Sequence, residues 1–164
     1  RARIACLTAR CRWVWITGNH DPLPSRDLGG ETMHEALIDD VNFRHEARPG
    51  EAGWEISGHF HPKWRLSLRG RSVSRRCFVL GARKLIMPAF GSLTGGLDAA
   101  APAIRGLIGH GAQALVPLSD RCFASLSKPE SIAGVAAAQQ RSSLSQRGIS
   151  GLFILAYDYC HTGV

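Results

Sequence analysis

Three short runs of β-forming residues each lead straight into polar side chains that can bind a metal or move a proton, and this pattern constrains the chain most. Trp13-Val14-Trp15-Ile16-Thr17 leads into Gly18-Asn19-His20-Asp21, Val41-Asn42-Phe43-Arg44 into His45, and Glu55-Ile56-Ser57 into Gly58-His59-Phe60-His61. Sites in α/β proteins gather beyond the carboxyl ends of strands. The sequence therefore predicts a sheet whose strand ends converge on one polar site.

The chemistry of those residues points to a metal. Asn19 offers an amide oxygen, with Gly18 before it expected to permit a sharp turn. His20 and Asp21 are adjacent, so the carboxylate can orient the imidazole for acid work. His45 supplies a nitrogen from a second strand end. His59 and His61 are one residue apart, and on an extended backbone both rings project to the same side. Imidazole and amide ligands suit Mn, Fe or Zn. His34, His110 and His161 lack such surroundings and read as surface or packing residues.

Composition narrows the class. A chain of 164 residues with 45% hydrophobic and 20% charged residues has room for one sizeable core. Five scattered cysteines form neither a disulfide framework nor a zinc-ribbon spacing, which fits a reduced, cytoplasmic setting. The apolar run Leu152 to Ala156 is far shorter than a membrane helix requires, so no membrane span is expected. The net charge of +7 suits a polyanionic partner such as nucleic acid. All but three of the twenty cations are arginine, which a biased genome explains as readily as phosphate recognition does.

Further along, Trp64 to Val73 alternates around a glycine turn as a hairpin would. Arg65, Arg69, Arg71, Arg75 and Arg76 have spacings that would line one hairpin face and track a phosphate backbone; the alternative is a solvated surface. Arg76 to Leu80 and Lys84 to Pro88 read as strands, Ala99 to His110 as a short helix, and Ala112 to Leu118 as the last core strand. Pro88 to Gly96 is a glycine-rich loop. Residues 1–127 form the recognisable domain. Residues 128–164 read as an appendage, a polar stretch at 131–145 followed by an apolar one with no evident pairing partner.

Gly18-Asn19-His20-Asp21, His45 and Gly58-His59-Phe60-His61 resemble the third, fourth and fifth motif blocks of the calcineurin-like metallophosphoesterase superfamily. Within it the chain is most similar to the bacterial ligase-associated DNA damage response endonucleases, through Trp13 to Pro22, Phe43-Arg44-His45-Glu46, Gly58 to Pro62, Arg75 to Phe78, Met87 to Gly91 and Thr94 to Leu97. The resemblance covers about residues 10 to 125. It implies an α/β (α+β) fold, a four-layer sandwich of two mixed β-sheets flanked by helices, here its C-terminal part. It also implies two divalent metal ions, Asn19, His45 and His59 binding one and His61 the other, with His20 as the acid, oriented by Asp21, and a metal-held hydroxide as nucleophile. The function implied is phosphodiester hydrolysis, in DNA, in a repair pathway shared with an ATP-dependent DNA ligase and a helicase. The family's first two blocks, an Asp-x-His and a Gly-Asp, have no counterpart in Arg1 to Trp15. An N-terminally truncated domain with impaired activity is therefore expected. Two other readings stay open: a non-catalytic remnant serving as a basic nucleic-acid-binding module, and a small-molecule phosphatase or cyclic-nucleotide phosphodiesterase of the same superfamily.

Overall fold

The computed structural model describes residues 2–19, 28–50, 53–91, 94–117, 122–124 and 152–156. Helix α1 (Ala2–Thr8) leads into strand β1 (Arg12–Ile16), followed by β2 (Glu31–Met33), β3 (Glu35–Ile38), β4 (Val41–Arg44) and β5 (Trp54–Ser57). The hairpin β6 (Lys63–Leu68) and β7 (Arg71–Arg76) comes next, then β8 (Phe78–Leu80), β9 (Lys84–Ile86), α2 (Pro102–Ile108), β10 (Gln113–Pro117), β11 (Cys122–Ala124) and β12 (Leu152–Ala156). The strands make a parallel sheet β12-β1-β2, a seven-stranded mixed sheet β11-β10-β8-β9-β5-β4-β3, and the separate hairpin. The fold is mixed α+β with few helices, compatible with part of a metallophosphoesterase sandwich.

β1 is buried on both faces, as its unbroken apolar sequence requires. Val14 and Ile16 pack on Ala36 with Met33, Ile38 and Phe43, joining the two sheets. Trp13 and Trp15 point the other way, against Leu28 and Ile4 of α1, and the Trp15 indole donates to the Gly29 carbonyl at 2.7 Å.

Strand register places Glu35, Arg44, Ser57, Ile86, Val79 and Ala114 in one row across the large sheet. Its apolar half packs under Ile104 and Ile108 of α2. At its other end Glu35 and Arg44 belong to an ion network centred on Glu55. Glu55, 1% exposed, accepts from Lys84 at 3.1 Å and lies 3.3 Å from Arg44, whose guanidinium also approaches Glu35. The Lys84 ammonium donates as well to the Arg48 carbonyl at 2.5 Å. Buried charges persist only when paired in this way. Here the pairing ties β4, β5 and β9 together directly beneath the loops carrying His45 and His59.

Two features differ from the sequence reading. Leu152–Ala156, expected to lack a partner, pairs in parallel with the whole of β1, Arg12 opposite Leu152 and Ile16 opposite Ala156. α1, β2 and β3 also arise where no element was anticipated, and β10, expected as the last core strand, is followed by β11, which pairs with it. The polar stretch 131–145 lies outside the described residues.

Candidate metal centre

β1, β4 and β5 end side by side, and each delivers one donor. His45 Nε2 stands 2.7 Å from Asn19 Oδ1 and 3.0 Å from His59 Nδ1, and the two imidazoles meet edge-on at 77° with centroids 4.9 Å apart. The loops are fixed to one another through the backbone, the Gly58 N–H donating to the His45 carbonyl at 2.9 Å. Gly18 makes the approach possible. A Cβ on Gly18 would sit 2.5 Å from His45 Nδ1, inside the ring's contact surface. Its φ is not positive, so the close passage of an imidazole, not a left-handed backbone, is what calls for glycine here.

The donor set itself tests whether a cation fits. A single imidazole nitrogen carries either a proton or a lone pair. If His45 Nε2 is protonated, Asn19 Oδ1 and His59 Nδ1 compete for that one proton. If it is not, Asn19 Oδ1 faces another lone pair. A cation at the common point satisfies all three lone pairs at once. Spacings of 2.7 and 3.0 Å bring the donors close enough to share one cation. The residues fit one metal. No cluster of three or more His, Cys, Asp and Glu side chains able to hold a metal occurs among the described residues; the candidate centre is this triplet of two imidazoles and an amide.

The segment carrying His59 and His61 departs from expectation. It is not extended: both histidines have left-handed backbones, with φ 54° and 47°, a conformation uncommon for residues other than glycine and found at functional sites. The same-side rule for strands therefore does not apply. Phe60 N–H donates to the Gly58 carbonyl at 2.7 Å, and Leu97 N–H to the Phe60 carbonyl at 3.1 Å, so the turn is held from both sides. His61 is buried, and a side chain on Gly96 would run into its carbonyl. His20 and Asp21 lie outside the described residues.

Beside the triplet opens a cavity of 350 Å³ lined by His34, Glu35, Arg44, His45, Glu46 and Arg48. His34, which the sequence assigned to surface or packing, lies 2.9 Å from the Thr17 hydroxyl and faces this cavity. Glu46 stands 3.9 Å from His59 Nε2, on the side of the ring away from His45. Glu46 directly follows His45, and that adjacency was the signal available for it; the strands flanking His34 were not anticipated, so no signal pointed to it.

The hairpin register splits the five arginines. Arg65 pairs with Ser74 and Arg76 with Lys63, on one face; Arg75 pairs with Trp64 and Arg71 with Leu68, on the other. Arg69 sits in the two-residue turn with Gly70, both at positive φ. The expectation of a single basic face is thus replaced by two. Arg65 and Arg76 grip loop carbonyls, at 3.3 Å to Gly96 and at 3.2 and 2.7 Å to Phe90 and Gly91, while Arg69, Arg71 and Arg75 stay exposed.

No helix among the described residues is long and apolar enough to cross a membrane. No protein-family model matches the chain, and no curated protein matches it. A solved structure does: the nuclease MPE of Pseudomonas putida, 27% identical, aligned over 68% of this chain with a TM-score of 0.52. The chain spans about half of that nuclease's length, 53% of it. In fold and in sequence, the chain is similar to a nuclease.

Proposed function

We propose that this chain is part of a metal-dependent phosphodiesterase of the calcineurin-like metallophosphoesterase type, acting on DNA as an endonuclease. The observation that carries the reading is the convergence of Asn19 Oδ1, His45 Nε2 and His59 Nδ1 at three strand ends. The similarity to a nuclease supports it. Asn19, His45 and His59 would hold one divalent ion, with manganese the first candidate, and His61 belongs to a neighbouring one. Such an ion supplies a polarised phosphoryl oxygen and a water of lowered pKa. The protein's own part is positional. The Glu55 network fixes the depth of β4 and β5, Gly18 lets His45 approach Asn19, and the left-handed turn aims His59. In this reading His20, oriented by Asp21, gives a proton to the leaving oxygen, and the enzyme serves a repair pathway together with a DNA ligase and a helicase.

Hydrolysis of a bis-nitrophenyl phosphodiester and of plasmid DNA with added Mn²⁺, by this chain and by a version carrying an upstream Asp-x-His and Gly-Asp region, tests the reading. It requires metal-dependent turnover that His59→Ala and His20→Ala each abolish. A non-catalytic nucleic-acid-binding role is favoured by one observation, that two imidazoles and an amide meet in the triplet without a carboxylate. DNA binding without turnover at any metal concentration would select it.

A further inference from the structure

We propose that the ring of Phe90 is a contact for the flat face of a nucleobase, presented on backbone that Arg76 holds. The inference rests on the nuclease reading above and names how its substrate is gripped. Phe90 is 82% exposed, more than any other large apolar side chain among the described residues. The backbone beneath it is tightly held. Arg76 donates from Nη1 to the Phe90 carbonyl at 3.2 Å and from Nη2 to the Gly91 carbonyl at 2.7 Å. Lys63 donates to the Thr94 carbonyl at 3.1 Å and Arg65 to the Gly96 carbonyl at 3.3 Å. All three cations project from the same face of the hairpin.

The far end of the loop is joined to the donor turn. Leu97 N–H donates to the Phe60 carbonyl, between His59 and His61, and the Leu97 carbonyl accepts from Lys63 N–H at 2.8 Å. Fixing the backbone beneath Phe90 costs conformational entropy, and a ring in water returns none of that through burial. A ring so placed is preorganised for a ligand.

The surroundings select the ligand. A hydrophobic protein partner would meet a basic surface, with Lys63, Arg65 and Arg76 on the hairpin face that carries the loop. Nucleic acid offers phosphates to the arginines and a flat face to the ring, and base–aromatic stacking is tolerant of sequence.

Anisotropy titrations of the full chain with a labelled oligothymidylate, and with an abasic oligomer of equal length and charge, test the inference. Wild type is expected to bind the base-bearing strand more tightly. Phe90→Ala should lower that affinity about 10-fold and leave abasic binding unchanged, while Phe90→Trp keeps the preference and all three proteins share one salt slope. Equal affinities of wild type and Phe90→Ala for the oligothymidylate would overturn the inference, as would an equal loss on both oligomers or a self-association that Phe90→Ala removes. If wild type still cleaves DNA, those results sink only the stacking role. If it neither binds nor cleaves nucleic acid, the nuclease reading fails with it.

Discussion

At His45 one nitrogen faces two neighbours that cannot both be satisfied by a proton, and the glycine opposite leaves no room for the ring to retreat. Gly18→Ala tests that crowding. Its methyl would displace the imidazole, so Mn²⁺ affinity should fall at least about 10-fold, or 1.4 kcal/mol, while the thermal midpoint changes little. An unchanged affinity would mean that the close passage has no bearing on the donors. A second residue tests the core. Burial pushes the Cys77 thiol up to about 12; a hydrogen bond from the Trp64 backbone opposes this and Asp98 adds to it. An unfolded thiol titrates near about 8.5. The folded value is the higher one, so the neutral thiol's contribution is complete below about 8.5 and is lost as pH rises from there towards 12. Urea titrations should show stability falling across that alkaline window, less steeply in Cys77→Ala. Iodoacetamide at pH 8 should label the exposed Cys6 and spare Cys77.

Among the elements, β4, β5 and β9 are held by charge where most sheets use apolar packing. Glu55→Ala leaves Arg44 and Lys84 buried without their shared carboxylate, and denaturant unfolding should show a loss of about 3–5 kcal/mol. A loss within about 0.5 kcal/mol would show that the network contributes nothing. This network also marks where sequence reasoning stopped. β1, β4 and β5 were legible because each run is β-forming and ends in site residues, and the hairpin because its alternation is clear. Glu55 and Lys84 looked like ordinary strand polar residues; only register shows that they sit on adjacent strands. Register also decides the arginine faces. With Lys63 opposite Arg76, odd positions of β6 share a face with even positions of β7, a parity that spacing within one strand does not reveal. The left-handed turns at His59 and His61 were hidden for a similar reason, since contacts with Leu97 and Gly96, far along the chain, hold them.

For the whole molecule, β12 closes one edge of the small sheet, running parallel along all five residues of β1. Parallel pairing of segments so far apart depends on the rest of the core being in place. Removing residues 152–164 should therefore lower stability and expose the edge of β1, read as a reduced thermal midpoint and faster amide exchange in residues 12–16. Exchange unchanged by the deletion would show that the pairing is dispensable. The donors at the ends of β1, β4 and β5 join both sheets into one site, and the central claim is that this site binds a divalent ion. Titration of the full chain with Mn²⁺, followed by calorimetry and by loss of the free-ion paramagnetic resonance signal, measures this directly. The account predicts saturable binding that His45→Ala and His59→Ala each weaken at least about 100-fold, or 2.7 kcal/mol. Binding that is absent in the wild type, or unaltered by both substitutions, would contradict it.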